Sequence, residues 1–368
     1  MALPTYIEPI DHRTEESGRA VRPLRIAITV DPEIPVPPVL YGGIERIVDM
    51  LVRGLVHRGH EVTLFANSES QVPCRLLPYP ALHSQKKADT LKNMWHVTSH
   101  VWRSRVDVVH SFARLAYLTP LLPRRIPKIM SYQRAVTPRS VTIGNLFSRG
   151  TLHFTGCSAY VVRPWASSDH FHVIYNGVPL NTYRATQYFD DNAPLAYLGR
   201  VEKIKGVHLA VHVAKRSGRQ LVIAGNVPQG APHRRYFEEK ILAHVDGSAV
   251  QYVGAVDDHG KNELLGRSAA LLMPLLWDEP FGIVMAEALA CGTPVIGLRR
   301  GSLPEIVQHG VNGFVCDSVE EMVAAIGRLP EIDRRDCRRI AEEKFSDRVI
   351  VEAYERLYRE VVNGRETA

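Results

Sequence analysis

The sequence lacks the segments that mark membrane-spanning and secreted proteins. No stretch reaches the roughly 18 consecutive apolar residues that a transmembrane helix needs, although 45% of the 368 residues are hydrophobic. The first segment, MALPTYIEPIDHRTEESGRAVRP, has no apolar core of the kind found in signal peptides, so we do not expect secretion. We expect residues 1–22 to form a flexible tail and the protein to be cytoplasmic.

Cysteine is scarce, and no two cysteines are spaced as in a redox or zinc motif. The five cysteines are scattered, their number is odd, and none forms a Cys-x-x-Cys pair. This usage is typical of reduced thiols in a cytosolic protein and argues against a disulfide framework.

Acidic residues are fewer than basic ones, which leaves a net charge of +6 and a pI near 9.0. Such a balance suits anionic partners: phosphorylated small molecules, an acidic membrane surface or nucleic acid. The basic clusters RSRV, RRIPK and QKKADTLK lack the interleaved aromatic residues of a nucleic-acid groove, so no nucleic-acid partner is expected. They would allow peripheral contact with the inner face of an acidic membrane, but a solvated basic face is the favoured interpretation.

The alternation of apolar segments predicts two α/β domains, because 368 residues exceed one comfortable core. An apolar run at 24–30 is followed by the pair Gly42–Gly43, by helically spaced apolar residues up to Gly59 and by a second apolar run. This order predicts a βαβ unit of a parallel sheet. The alternation continues to residue 177 and starts again after a polar, irregular segment at 178–193.

The predicted fold class is therefore α/β, with two doubly wound Rossmann-like domains facing across a cleft. We assign residues 23–185 to the N-terminal domain, 186–345 to the C-terminal domain and 346–368 to a last helix. Because doubly wound sheets bind ligands at the carboxyl ends of their strands, we expect the site to lie in the cleft.

Two strand-to-helix loops carry residues suited to phosphate groups. Gly42 and Gly43 let backbone amides approach a ligand at the positive end of the first helix, although an ordinary tight turn is the alternative. Arg200 and Lys205, in GRVEKIKG, follow the first predicted strand of the second domain. A guanidinium and an ammonium group there could clamp a diphosphate, the alternative being a solvated basic loop.

The stretch WDEPFGIVMAEALACGTPVI places two acids in an apolar run. Glu279 lies in a loop before a helix predicted over 281–291, and Glu287 lies two turns along that helix. A carboxylate accepts two hydroxyls, which suits Glu287 to a vicinal diol such as a ribose and Glu279 to sugar hydroxyls. The alternative, a surface helix with salt-bridged acids, is disfavoured by the apolar residues around Glu287. The helix amides expected to be unpaired belong to Phe281, Gly282 and Ile283.

Together these segments resemble the GT-B retaining glycosyltransferases of family 4, the group of glycogen synthase and the lipid mannosyltransferases. EPFGIVMAE resembles the Glu-x7-Glu motif of that family, GRVEKIKG its Arg/Lys diphosphate motif and YGGIER its glycine-rich loop. GSLPEIVQHGVNGFV resembles the segment after Glu-x7-Glu, and VIYNGV resembles the strand before the interdomain linker. The resemblance runs from about residue 24 to the end of the chain.

The resemblance implies a metal-independent enzyme that uses a nucleotide-diphosphate sugar as co-substrate and no cofactor; the sequence has no convincing Asp-x-Asp pair. It implies that Glu287 holds the ribose and that Glu279 contacts the donor sugar. Arg200 and Lys205 would neutralise the leaving diphosphate. The last helix, 346–368, would return to the N-terminal domain. Further donor contacts are implied for the amides of Gly42, Gly43, Phe281, Gly282 and Ile283 and, at the base, for backbone groups near Val253.

One position departs from the family pattern. The family has a histidine after the strand that here reads IPKIMSYQRAV, and Gln133 occupies that place. His110, at the end of the neighbouring strand, is a second candidate for the sugar or acceptor side, although a lone histidine is more often a packed or capping residue.

We therefore predict a retaining hexosyltransferase that moves a sugar from a UDP- or GDP-hexose to a glycan, lipid or small-molecule acceptor. Two alternatives stay open. One is a non-catalytic nucleotide-sugar-binding protein, which Gln133 would favour. The other is a different GT-B enzyme, such as a nucleotide-sugar epimerase or a phosphorylase.

Overall fold

The computed structural model describes residues 22–39, 42–187, 190 and 192–366, so the predicted tail lies outside the described residues except for Arg22. The chain divides into two units. Unit 1 comprises the chain up to Gly177 and again from Asp347, and unit 2 comprises Val178–Ser346. The division precedes the predicted boundary at 185, because the intervening segment bonds to unit 2. The Val178 amide donates to the Phe345 carbonyl at 2.8 Å, and the Thr186 amide donates to the Cys291 carbonyl at 3.0 Å.

Unit 1 is built on a parallel sheet with strand order β3-β2-β1-β4-β5-β6-β7 within the described residues. The central strands are buried along their whole length, as expected of a parallel sheet covered on both faces. The strands are β1 (Arg25–Thr29), β2 (Glu61–Ala66), β3 (Arg75–Pro78), β4 (Val108–Ser111), β5 (Lys128–Tyr132), β6 (Leu152–Gly156) and β7 (Phe171–Val173). The helices between them are α1 (Gly43–His57), α2 (Lys87–Arg103), α3 (Pro138–Ser148) and α4 (Ala159–Val162), with a 3₁₀ helix at Leu115–Leu121.

Unit 2 repeats this plan with strand order β10-β9-β8-β11-β12-β13, again all parallel. Its strands are β8 (Leu195–Leu198), β9 (Leu221–Ala224), β10 (Val250–Gly254), β11 (Ala270–Met273), β12 (Val295–Leu298) and β13 (Gly313–Cys316). Its helices are α5 (Val207–Ser217), α6 (Ala231–Lys240), α7 (Asp258–Arg267), α8 (Ile283–Ala290), α9 (Leu303–Ile306), α10 (Val319–Gly327) and α11 (Arg334–Lys344). The prediction of two doubly wound α/β units is confirmed.

The connections of unit 1 place its helices on two faces of the sheet. From β1 to β2 the chain moves one way along the sheet, and from β3 through β6 it moves the other way. Right-handed crossovers therefore put α1 on one face and α2, the 3₁₀ helix and α3 on the opposite face. The last helix, α12 (Asp347–Glu366), packs against α1 in unit 1.

In unit 2 the strand order reverses between β8 and β11. The chain leaves β8 toward β9 and β10, then returns across the sheet to β11 on the other side. Such a reversal leaves a crevice at the carboxyl ends of the two strands, where ligands bind in doubly wound sheets.

Candidate active site

A lysine, a glutamate and a tryptophan meet where β8 and β11 end. Lys205 lies in a short 3₁₀ helix that begins five residues after β8, and Glu279 lies in the loop after β11. The Lys205 ammonium group forms an ion pair with Glu279 Oε2. Trp277 Nε1 donates to the same oxygen at 3.1 Å, and the ammonium group lies 4.8 Å from the centre of the Trp277 ring. The structure thus brings together two residues that the sequence predicted and adds Trp277, which it did not.

Two glycines allow close backbone contacts beside Lys205 and Glu279. Gly206 follows Lys205 with φ of +72°, and a Cβ there would overlap the Pro274 carbonyl oxygen at the end of β11. A Cβ at Gly301 would overlap the backbone of Glu279 in the same way, and the Ser302 amide donates to the Glu279 carbonyl at 2.9 Å. The positions of Lys205 and Glu279 are therefore set by close backbone contacts that tolerate no side chain.

Arg200 lies on the loop that leads to Lys205 but has a different carboxylate partner. Its guanidinium group pairs with Glu202 Oε1 at 2.8 Å, and the Arg200 side chain is one-third exposed. Tyr197 donates its hydroxyl to the Arg200 carbonyl at 3.0 Å, which fixes the backbone at this point. The loop thus presents two cations at the carboxyl end of β8, as the sequence predicted.

Glu287 is buried on α8 and its two carboxylate oxygens differ. Oε1 accepts from the Tyr183 hydroxyl at 2.7 Å and from the Lys261 ammonium group at 2.9 Å. Oε2 is buried and has no hydrogen-bond partner among the described residues. A buried carboxylate oxygen without a donor is costly, so this atom is suited to accept from a ligand hydroxyl. Tyr183 and Lys261 are site residues that the sequence did not indicate.

The helix that carries Glu287 begins later than predicted. Gly282, with φ of +73°, is the N-cap, and α8 runs from Ile283 to Ala290. Phe281 lies before the helix, is almost fully buried and packs edge-on against Phe345 with ring centres 5.8 Å apart. The prediction that the Phe281 amide belongs to the helix N-terminus is therefore wrong, because Phe281 precedes the N-cap residue Gly282. Gly282 and Ile283 do lie at the helix start.

Val253 lies apart from this cluster in the sheet. It is on β10, an edge strand separated from β8 by β9, and 48% of the side chain is exposed. The carboxyl ends of the three strands remain linked, because the Gly225 amide donates to the Gly254 carbonyl at 2.7 Å and the Gly199 amide donates to the Ala224 carbonyl at 3.0 Å. Its assignment to the base site stays a prediction.

The glycine pair lies at the start of α1 in unit 1. Gly42 is the N-cap with φ of +156°, and a Cβ there would lie 2.6 Å from Pro38 Cβ. At Gly43 an added Cβ would meet nothing within 4 Å. The steric requirement for glycine is therefore specific to Gly42. The preceding Leu40 and Tyr41 lie outside the described residues.

Carboxylates near Gly42 form a group that the sequence did not indicate. Asp31 follows β1, and burial, followed by the charge of Glu33, raises its pKa to about 6. Burial likewise raises the pKa of Glu45 in the first turn of α1. Asp31 Oδ1 is buried without a hydrogen-bond partner among the described residues. Gln133, which follows β5, accepts from Asn176 Nδ2 at 2.8 Å through Oε1.

His110 is a packed residue of unit 1 rather than a candidate for the sugar side. It is fully buried on β4, with Nδ1 at 2.7 Å from the Tyr358 hydroxyl and Nε2 at 2.6 Å from Ser131 Oγ. Burial lowers its pKa to about 3, so the ring is neutral. Both ring nitrogens are occupied by α12 and β5, and the assignment of His110 to the acceptor or sugar side is therefore wrong.

The buried neutral ring predicts a loss of stability in acid. Below about pH 6.5 the unfolded chain binds a proton at His110 that the folded state does not. The free energy of unfolding therefore decreases as the pH is lowered from about 6.5 to about 3. We expect a loss of about 2 kcal/mol at pH 5 from this residue. His153 and His172 act in the same direction, whereas Asp31 acts in the opposite one. Urea unfolding of the wild type and of His110→Gln isolates the contribution: equal differences between pH 7 and pH 5 would contradict it.

Comparison with known protein families identifies both units. The model for Glycosyltransferase Family 4 matches residues 41–182, and the model for glycosyl transferases group 1 matches residues 183–346. The chain is a GT-B glycosyltransferase of family 4. The two matches meet close to the boundary between unit 1 and unit 2 and together include the loops that carry Gly42, Lys205 and Glu279.

Named relatives of this glycosyltransferase are diverse. It is 29% identical over 180 residues to the N-acetyl-alpha-D-glucosaminyl L-malate synthase of Bacillus anthracis, a match that covers 46% of this chain and 45% of that protein. It is 23% identical to spore coat protein SA of Bacillus subtilis, over 88% of this chain and 94% of that one. A match of 36% identity to the glycogen synthase of Mycobacterium tuberculosis covers 42% of this chain and 39% of that enzyme.

Solved structures confirm the fold. A glycosyltransferase involved in avilamycin A biosynthesis is 26% identical to this glycosyltransferase, with a TM-score of 0.69 over 93% of this chain and 99% of that one. Sucrose-phosphate synthase from Thermosynechococcus elongatus, at 19% identity, has a TM-score of 0.77 over 93% of this chain and 100% of that one. Within the described residues, no helix is long and apolar enough to cross a membrane, and no three metal-ligating side chains are grouped to hold an ion.

Proposed function

We propose that this glycosyltransferase takes a hexose from a nucleotide-diphosphate sugar and transfers it with retention at the anomeric carbon. The observation that carries the proposal is the half-satisfied carboxylate of Glu287, buried on the helix that follows the Lys205–Glu279 pair. One ligand with a diol at one end and a diphosphate in the middle would use both features.

Cleavage of the donor moves negative charge onto the departing diphosphate. Lys205 and Arg200, on one short loop, are proposed to stabilise that charge as it develops. Fixed cations that face a developing charge usually supply the largest single part of such catalysis. The two side chains would supply the charge that a metal ion supplies elsewhere, and we propose that the enzyme needs neither a metal nor a cofactor.

Glu279 is proposed to accept hydroxyls of the transferred sugar. Its Oε2 atom is held by Lys205 and Trp277. A donor would bring phosphate oxygens to the lysine and sugar hydroxyls to the glutamate, so each partner of the ion pair gains a ligand contact. The Anabaena protein HepE, which shares the fold at 17% identity, has been solved with UDP-glucose. This supports a nucleotide-diphosphate sugar as the class of donor.

The acceptor is proposed to approach the carboxyl edge of the unit 1 sheet. Asp31, with a raised pKa and an unpartnered Oδ1 atom, is suited to accept a hydrogen bond from an acceptor hydroxyl or amine. Gln133 lies at the end of β5 on the same edge, and its Oε1 atom is already occupied by Asn176. We therefore propose an acceptor from the class of small molecules, glycans or lipids that present a hydroxyl or amine to a carboxylate.

Replacement of Glu287 by glutamine tests the ribose site. The amide oxygen can still accept from Tyr183 and Lys261, but the side chain no longer offers a carboxylate oxygen to the ligand and no longer carries the charge that pairs with Lys261. We expect the dissociation constant for the nucleotide diphosphate to rise about 10- to 100-fold, because a hydrogen bond to a charged group usually contributes binding free energy of that size. Thermal shifts with UDP, GDP and ADP measure this, since a ligand that binds only the folded state raises Tm.

The exposed Glu263→Gln variant on α7 is the control and should bind as the wild type does. Incubation with UDP-, GDP- and ADP-hexoses then separates transfer from binding alone, because a transferase hydrolyses its donor slowly without an acceptor. Binding with neither hydrolysis nor transfer would favour a non-catalytic nucleotide-sugar-binding protein. An altered sugar on an intact donor would favour an epimerase.

A further inference from the structure

One segment of unit 1 has a higher net positive charge than the chain as a whole. From Lys86 to Arg163 the sequence contains thirteen lysines and arginines and only two acids, Asp89 and Asp107, a net charge of +11, whereas the chain as a whole has +6. The remainder of the chain is therefore net negative. This segment contains α2, the 3₁₀ helix at Leu115–Leu121 and α3, which share one face of the sheet.

The outer surface of the same layer exposes large apolar side chains. Leu91, Trp95 and Trp102 form a stripe along α2, because positions i, i+4 and i+11 lie on one face of a helix. Ile143, Leu146 and Phe147 are exposed on α3, with Leu146 at 72% and Phe147 at 52%. Both helices pack on the 3₁₀ helix between them. Six exposed large apolar residues on one layer are more than solubility favours and indicate a surface that is covered by a partner.

Arginines are interleaved with this stripe. The Arg124 guanidinium group lies 5.3 Å from the centre of the Trp102 ring, and the Trp102 ring meets Trp95 edge-on at 5.6 Å. Beside Trp102 is a cavity of 1110 Å³ whose lining includes Arg22, Arg25, Arg105, Arg124, Arg125 and Arg359. Its one carboxylate, Asp107, is already paired with Arg25 at 2.7 Å. The cavity therefore presents excess positive charge and is suited to a phosphate group.

We propose that the outer surface of the α2, 3₁₀ and α3 layer docks on a membrane that contains anionic lipid. Exposed tryptophan and aliphatic side chains insert at the boundary of headgroups and acyl chains, and arginines bind the phosphates. Each such arginine adds about fivefold to binding on an anionic leaflet. The arginine-lined cavity beside Trp102 would take one lipid headgroup.

Two other occupants fit less well. A second copy of this chain would meet the same positive surface, so self-association on this face is opposed by repulsion. Nucleic acid would bind the arginines through its phosphates. The aliphatic side chains of Leu91, Ile143 and Leu146 would not contribute, because they cannot stack on bases. The bilayer uses both the charge and the aliphatic side chains.

Vesicle flotation with the full-length protein tests the proposal. We expect binding to vesicles of equal parts phosphatidylcholine and phosphatidylglycerol, weakened by added salt, and at least tenfold weaker binding to phosphatidylcholine alone. Replacing Arg103, Arg125 and Arg139 by glutamine should lower the partition coefficient on the order of a hundredfold. Replacing Trp95, Leu146 and Phe147 by serine should also abolish flotation while Tm stays unchanged, since all three are exposed.

The matched control removes the same charge from unit 2: Arg216, Arg234 and Arg235 replaced by glutamine, which should float as the wild type does. Equal loss of vesicle binding in this control would overturn the proposal, and so would a wild-type protein that does not bind the anionic vesicles. The proposal would also be wrong if only the arginine variant lost binding and a polynucleotide fully displaced the wild type from the vesicles. A dimer that is disrupted by the serine variant would also overturn it. Donor hydrolysis should be unchanged in all three variants, so failure here leaves the proposed transferase activity untouched.

Discussion

Replacement of Lys205 by alanine is expected to lower the turnover of sugar transfer by about two to three orders of magnitude, because a fixed cation that stabilises a departing group contributes on that scale. The ammonium group pairs with Glu279 above the Trp277 ring, at the point where the strand order reverses. The Michaelis constant for the donor should change less than kcat, since the charge on the diphosphate is greatest after the bond begins to break. Steady-state kinetics with a working donor and acceptor measure both constants.

Lys203→Ala is the matched control for this experiment. Lys203 lies on the same 3₁₀ helix but is exposed, and no ion pair to a carboxylate is found for it among the described residues. It should leave kcat near the wild-type value. If Lys205→Ala retained full turnover, or if both variants lost activity equally, the catalytic role proposed for Lys205 would be wrong. A Tm close to that of the wild type confirms that the loss is not one of folding.

Replacement of Gly206 by alanine is expected to destabilise unit 2 by about 3 kcal/mol or more, which is large for a single methyl group. A left-handed φ costs an alanine about 1 kcal/mol. The remainder comes from overlap of the new Cβ with the Pro274 carbonyl oxygen, a backbone atom that can move only if β11 moves. Because Lys205 is the preceding residue, the displacement should also misplace its ammonium group and lower transfer.

Gly218→Ala separates these two costs. Gly218 has φ of +67°, close to that of Gly206, but an added Cβ would meet nothing within 4 Å. It should therefore lose only the conformational part, about 1 kcal/mol, and keep full activity. Urea unfolding of the two variants gives the comparison. Equal losses at both positions would show that contact with Pro274 contributes nothing.

The fold could be predicted from the sequence because the buried strands of parallel sheets are short apolar runs. β1, β8 and β11 each coincide with such a run. β3 could not be predicted, because it is an edge strand of four residues with an exposed residue at each end, so its sequence has neither an apolar run nor a strict alternation. α2 could not be predicted either, because the apolar residues Leu91, Trp95 and Trp102 face outward and obscure the helical spacing of its buried residues.

The charged residues of the site could also be predicted, but not their partners. Arg200, Lys205, Glu279 and Glu287 follow strands in the sequence, and the carboxyl ends of parallel strands meet at one edge. The hydroxyl that binds Glu287 comes from Tyr183, 104 residues away, and no local pattern encodes such a contact. The prediction for the Phe281 amide failed because the sequence does not reveal that Gly282 takes a left-handed φ of +73° and caps the helix one residue later.

His110 shows how a strand-end residue can mislead. Its place at the end of β4 suggested the sugar or acceptor side, yet its partners are Tyr358 on α12 and Ser131 on β5. Tyr358 is 248 residues away, so only the return of the last helix explains the burial of His110. The sequence contained a signal for that helix but none for the contact.

That return imposes an order on biosynthesis. Unit 2 is inserted within unit 1, and its two ends lie side by side where the Val178 amide donates to the Phe345 carbonyl at 2.8 Å. A ribosome therefore completes the whole of unit 2 before it makes Tyr354 and Tyr358, which are fully buried in unit 1. Until then His110 and Ser131 lack these partners and the face of α1 that α12 covers is open. The inserted unit can thus mature first, and the domain that is begun first is the last to be finished.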